Sequence, residues 1–234
     1  ILGPAGTEVT LTIQRESEPE PFDVSIVRAE ITIPSVVGEL LEKNIAYIQL
    51  FNFGQNTQKE LHDALKDLLA QNPDGLILDL RYNGGGYLNT AVSVVSEFIE
   101  ADKVVLYEEM GDGSRHTFTT SGKGLATEIP MIVLVNKGSA SASEIAAGAI
   151  QDHERGLLVG TTTFGKGLVQ NWIPLKSEDG AVRVTIARWL TPDERQIHEK
   201  GLEPDVLVEI TEEDIKLERD TQLEKAIEIL TTGI

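Results

Sequence analysis

The chain contains no cysteine. That excludes a disulfide framework, a thiol nucleophile and a thiolate metal site. Aromatic residues make up only 5% of the 234 residues, with two tryptophans. Basic residues are also few. Against 38 Asp and Glu there are 20 Lys and Arg, a net charge of −18, which argues against binding nucleic acid through its phosphates or docking on an anionic membrane. The apolar runs are too short to span a bilayer, and no basic-then-apolar signal segment opens the sequence. There is no internal repeat and no low-complexity tract. The histidines, His62, His116, His153 and His198, form no H-E-x-x-H pattern, and the carboxylates lack calcium-loop spacing, so neither a metal nor a cofactor is expected. Apolar residues account for 41%, enough for a buried core in a chain of this length.

The pattern of what remains is α/β. Glu8–Arg15 and Phe22–Arg28 alternate polar and apolar residues around an acidic, proline-bearing linker, and Ile31-Thr32-Ile33 extends the lead-in. Ile45–Leu50 reads as a strand. Thr57-Gln58-Lys59-Glu60 has the form of a capping box, and Leu61, Ala64, Leu65, Leu68 and Leu69 follow at helical spacing. Asn72-Pro73-Asp74-Gly75 stops that helix, and Leu76–Leu80 is a short apolar strand. Strand, helix, strand at this spacing predicts a crossover with parallel strands. Asn83-Gly84-Gly85-Gly86 follows, then a helix marked by Ala91, Val94, Val95, Phe98 and Ile99. The glycine loop lacks phosphate-loop spacing and ending; a backbone N–H aimed at a developing oxyanion suits it better. Val104–Tyr107 is a strand, and Met110–Glu128 a polar excursion. Leu168–Pro174 and Ala181–Leu190 read as strands joined by a turn at Ser177–Gly180. Thr211–Leu230 is a charged amphipathic helical tail.

The chemistry concentrates in two stretches. Ile129–Val135 is strand-like; it turns at Asn136-Lys137-Gly138 and enters a helix through Ser139-Ala140-Ser141-Ala142-Ser143-Glu144. A helix N-terminus offers unpaired N–H groups and partial positive charge, so a serine there has oxyanion donors beside it. The plain alternative is structural, since Ser141-x-x-Glu144 also fits a capping box. Downstream, Thr163-Phe164-Gly165-Lys166-Gly167-Leu168-Val169-Gln170 places a lysine between two glycines in apolar surroundings. Serine with a buried lysine is a known nucleophile–base pair. About one free lysine in 2,500 is neutral at pH 7, so such a base needs burial or a nearby positive charge.

With Leu78–Gly86, Ala187-Arg188-Trp189-Leu190-Thr191-Pro192 and Gly201-Leu202-Glu203-Pro204-Asp205, these segments resemble, in order and across nearly the whole chain, the carboxyl-terminal processing proteases of serine peptidase family S41. The resemblance implies a core like the crotonase-like fold of the Clp peptidase, over residues 28–234, preceded at 1–27 by the end of a PDZ domain and a linker. It aligns Ser141, rather than Ser139 or Ser143, with the nucleophile. Lys166 is then the base and Gln170 a residue that orients it. Oxyanion donors come from the glycine loop, taken as Gly86, and from Ala142. Phe51 and Phe53 are either core residues or one wall of a peptide pocket, and the pocket role is carried forward. The substrate implied is a protein or peptide with an apolar C-terminal tail. Possible self-association and an extracytoplasmic location follow from family habit alone.

Ile1–Thr7 begins inside a motif without an initiator methionine, as expected of a piece of a longer protein. With most of the PDZ domain missing, cleavage is expected to be weakened or poorly targeted. One departure from the family is Asp193-Glu194-Arg195-Gln196-Ile197, where relatives have a small or glycine-containing turn. The alternatives are a catalytically silent peptide-binding scaffold on the same fold and, less in keeping with the serine and lysine motifs, an acyl-CoA enzyme.

Overall fold

The computed structural model describes residues 1–31, 33–176 and 180–233. Thr32 and the expected turn residues Ser177, Glu178 and Asp179 lie outside them. The chain divides into two units, Ile1–Pro34 and Ser35–Ile234. In the first, β1 (Glu8–Ile13) pairs antiparallel with β2 (Phe22–Val27), Glu8 opposite Val27. Arg28 closes this hairpin: its guanidinium donates to the carbonyls of Ile1 and Glu8 and to the Thr7 hydroxyl.

The second unit is built on a six-stranded mixed sheet. Its strands are β3 (Val36–Leu41), β4 (Ile45–Leu50), β5 (Gly75–Asp79), β8 (Met131–Val135), β9 (Leu157–Gly160) and β12 (Val206–Leu207), in the spatial order β12-β9-β8-β5-β4-β3. Only the β3–β4 pair is antiparallel. α1 (Thr57–Leu69) connects β4 to β5, and α3 (Ala142–Asp152) connects β8 to β9, the parallel crossovers expected from the sequence. β5 and β8 are buried at every residue, because helices cover both sides of the sheet. Successive strand side chains alternate between two cores. Ile48, Leu78 and Val133 face α1, α2 (Leu88–Val95) and α3; Ile45, Ile77 and Ile132 face α5 (Thr221–Thr232).

A second sheet, four-stranded and antiparallel, has the order β10-β11-β6-β7. The polar excursion is the hairpin of β6 (Val104–Met110) and β7 (Arg115–Thr119). β10 (Leu168–Pro174) and β11 (Ala181–Leu190) carry the lysine loop's continuation. The helical tail is two helices, α4 (Glu212–Lys216) and α5. No helix among the described residues is long and apolar enough to cross a membrane.

The capping box expected at α1 does not form. Thr57 is the first helical residue, and the Glu60 carboxylate instead accepts from the Ser35 N–H at 2.7 Å and its hydroxyl at 2.6 Å. A tertiary partner with two donors has displaced the local one. Phe53 is also corrected: its side chain is fully buried in the core, so it is not a pocket wall.

Candidate active site

β8 delivers the chain to the carboxyl edge of the sheet, where Asn136 builds the turn. Its side-chain oxygen accepts from the N–H groups of Gly138 and Tyr82 at 2.9 and 3.0 Å. Ser141 follows at φ 58°, ψ −115°, as the N-cap of α3. That left-handed conformation costs a non-glycine residue about 1–3 kcal/mol. It is the sharp strand-to-helix turn that lifts a hydroxyl clear of the backbone.

The three serines differ in occupation. Ser139 is fully buried, its hydroxyl donating to Leu80 O at 2.8 Å and accepting from Asn136 N–H at 3.0 Å. Ser143 is fully buried and donates to Asn83 O at 2.8 Å. Ser141 lines a cavity of about 190 Å³, as do Lys166 and Gln170. The expected capping box between Ser141 and Glu144 is present, with Glu144 accepting from the Ser141 N–H at 2.9 Å, and the Glu144 N–H also reaches the Ser141 carbonyl at 2.9 Å.

Glu144 joins the two motifs. Fully buried, its carboxylate accepts from Ser141 N–H and Lys166 N–H at 2.9 Å each on one oxygen, and from Gly165 N–H and the Thr163 hydroxyl at 2.6 Å each on the other. Four donors and the positive end of α3 satisfy the buried carboxylate, which has no ion-pair partner among the described residues. The lysine's carbonyl is held from the opposite side by the indole N–H of buried Trp189, at 3.0 Å. The sequence alone marks Glu144 as a helix cap and assigns Thr163 and Trp189 no part in the site. The S-x-x-E spacing was the available signal.

The glycine loop completes the cavity. Asn83, fully buried, donates to Leu50 O at 2.6 Å and accepts from Gly85 N–H at 2.9 Å; its own carbonyl accepts from Ala140 N–H at 3.0 Å. Loop and serine turn are thus fastened together. Gly85 has φ +98°, and a Cβ there would lie 2.8 Å from both Ala142 N and Ser141 Cβ. Gly86 bridges to Phe53, whose carbonyl would be 2.3 Å from an added Cβ. Gly86 and Ala142 both line the cavity, and among the described residues neither N–H has an acceptor.

Gln170 donates to the Thr185 hydroxyl at 3.2 Å. The β10–β11 register shifts between Val169 and Gln170, and both residues line the cavity. Phe51 is 44% exposed and does not line it. No histidine does either. His62 is bound to Glu97 at 2.9 Å and His153 to Val104 O at 2.7 Å; His116 packs edge-on against Phe118. His198 lies beside the lysine loop, its backbone N 2.8 Å from where a Cβ on Gly167 would be. The unusual turn after Pro192 is accommodated by Glu194 at φ 59°, and by Asp152, which accepts from Asp193 N–H at 2.8 Å and pairs with Arg195.

A larger cavity of about 930 Å³ opens where α4 and α5 approach the sheet edge, and contains neither Ser141 nor Lys166. Beneath it Arg81 donates to Asp79 at 2.6–3.0 Å and to both oxygens of Asp220 at 2.8 Å, while Tyr47 donates to Asp79 at 2.7 Å. Burial, and then the Asp79 charge, push the Tyr47 hydroxyl well above its ordinary range. Burial would raise Asp220, but Arg81 and the Leu223 N–H outweigh it and hold the carboxyl below its ordinary range.

Residues 44–208 match the model of "Peptidase family S41". The chain is 43% identical over 211 residues to a carboxy-terminal-processing protease of Bartonella bacilliformis, covering 88% of this chain and 48% of that protein. A carboxyl-terminal-processing protease of Synechocystis is 38% identical over 239 residues, covering 99% and 55%. The chain therefore spans about half the length of these relatives. The solved photosystem II D1 C-terminal processing protease superposes with a TM-score of 0.72 at 31% identity, over 99% of this chain and 61% of that one. By sequence and by fold, the chain belongs to peptidase family S41.

Proposed function

We propose that this chain is the catalytic core of a serine endopeptidase that cuts proteins near their C-termini, with Ser141 as nucleophile and Lys166 as base. The observation that carries the reading is the contrast among the serines. Ser139 and Ser143 are buried and hydrogen-bonded to backbone, whereas Ser141 opens on the cavity that Lys166 lines. Lys166, as base, takes the proton from the Ser141 hydroxyl as Oγ attacks the peptide carbonyl. The N–H groups of Gly86 and Ala142 receive the oxyanion. On collapse the C–N bond breaks and Lys166 protonates the leaving amine. Water, deprotonated by the same lysine, then clears the acyl-enzyme as a free carboxylate. Gln170 offers its side-chain carbonyl to the lysine, its amide being spent on Thr185. The walls formed by Leu88, Ile145, Leu168 and Trp189 keep water from the reacting groups.

The preference for C-terminal segments rests on the relatives, which are named for it. The hairpin at the start is read as the end of a PDZ domain, and an extracytoplasmic site of action follows the family habit. The test is cleavage of an unstructured peptide with an apolar C-terminus, products read by mass spectrometry. Ser141→Ala and Lys166→Ala should each abolish it. Cleavage surviving Ser141→Ala would remove the nucleophile assignment.

A further inference from the structure

We propose that Arg183 is a carboxylate-reading subsite of the catalytic cavity, an inference that rests on the peptidase reading above. Arg183 lines the same cavity of about 190 Å³ as Ser141, Lys166 and Gln170. Among the described residues no Asp or Glu lines it. Its guanidinium stays charged at all working pH values.

Among the described residues Arg183 has no acidic partner, and neither do Arg15, which lies over Phe22, or Arg28 and Arg155, which are spent on backbone carbonyls. Arg81, Arg115, Arg188, Arg195 and Arg219 all pair with carboxylates. Arg183 makes no ion pair or hydrogen bond with any described residue; its contact is the face of Trp172, 5.8 Å from guanidinium carbon to ring centroid. Trp172 is its cross-strand partner, and Gln170–Thr185 is an earlier rung of the same ladder. A flat aromatic under a guanidinium fixes its plane and leaves its N–H donors directed outward.

The position sets what can be read. Within β11, Arg183 lies six residues before Trp189, whose indole N–H binds the Lys166 carbonyl. That separates the two ends by roughly 20 Å of strand at about 3.4 Å per residue, a distance the long arginine side chain shortens toward the cavity. A peptide whose scissile carbonyl sits at Ser141 thus presents at Arg183 a group a few residues away along its chain. A carboxylate matches the guanidinium fork in charge and in geometry. It has two sources: the C-terminal α-carboxylate, or an Asp or Glu side chain near the cut.

The test compares one peptide sequence in three forms: free C-terminal acid, C-terminal amide, and amide with a single glutamate moved through the positions around the cut. Cleavage is measured for the parent, Arg183→Gln and Arg183→Lys. Binding is measured by calorimetry on Ser141→Ala, with and without Arg183→Gln. The parent should prefer at least one carboxylate-bearing form over the neutral amide by about 10- to 100-fold in kcat/KM, the range of a charge-assisted hydrogen bond. Arg183→Gln should bring the ratio to within about twofold, Arg183→Lys should keep part of it, and added salt should compress it. Preference for the free acid alone identifies the α-carboxylate; preference for one glutamate position identifies a side-chain subsite. Equal binding of charged and neutral peptides by Ser141→Ala, or a preference that survives Arg183→Gln, overturns the proposal. Cleavage that persists in Ser141→Ala brings down the nucleophile assignment instead, and the binding comparison still decides Arg183.

Discussion

Three serines within five residues show how burial divides chemically identical groups. Two hydroxyls serve as backbone fasteners, and the one in the strained conformation lines the cavity. Glu144 makes that arrangement rigid by holding the N–H groups of Ser141 and Lys166 on one carboxylate oxygen. Glu144→Gln should therefore be costly despite its small change in shape. An amide can present one oxygen, so two donors would face an NH₂ group, at about 1–3 kcal/mol for each buried group left unsatisfied. The expected result is a lower thermal midpoint, with kcat down more than tenfold and KM little changed. Unchanged kcat in a folded variant would mean that Glu144 does not position the pair.

At the scale of elements, the site is two loops and a helix end fastened through Asn83 and Glu144. Gly86→Ala tests the glycine loop. The added Cβ meets Phe53 O at 2.3 Å, with φ +154° already unfavourable for a side chain. The loop must shift and carry its free N–H with it. The expected loss in kcat is on the order of 10²-fold, with a melting curve on the same sample to separate it from unfolding; full activity would take this N–H out of catalysis. Much of this level was legible in the sequence. β10 and β11 fall at the two stretches that read as strands in the sequence, and β8 and α3 lie on either side of the serine turn as the apolar run required. What failed were local patterns with a tertiary competitor. Glu60 matches a capping box but binds Ser35. Phe53 sits in an apolar stretch that serves core and cavity equally well by composition. Trp189 could not be tied to Lys166, because only the return of β11 beside the lysine loop joins them.

Across the whole second unit, α5 is tied to the sheet by a polar contact that no local pattern indicates: Asp220, its N-cap, meets Arg81 from the end of β5. Asp220 is held below its ordinary pKa in the fold. Its contribution is therefore complete above the unfolded value near 3.9 and is lost as pH falls through the lower folded value. Asp220→Asn should lower stability by about 1–2 kcal/mol at neutral pH, less than a fully buried pair because the Asp220 side chain is 38% exposed. Denaturation across pH should show the gap between parent and variant narrowing below about pH 4. A gap independent of pH would assign the effect to packing.

The measurement that bears most directly on the account is capture of the acyl-enzyme. The protein is mixed with an activated ester of a short peptide, quenched in acid within the first turnover, digested and mapped by mass spectrometry. The account predicts the acyl group on Ser141, absent in Ser141→Ala and not formed at a measurable rate in Lys166→Ala. An acyl group on Ser139, Ser143 or any other residue, or its formation at an undiminished rate in Lys166→Ala, would contradict it.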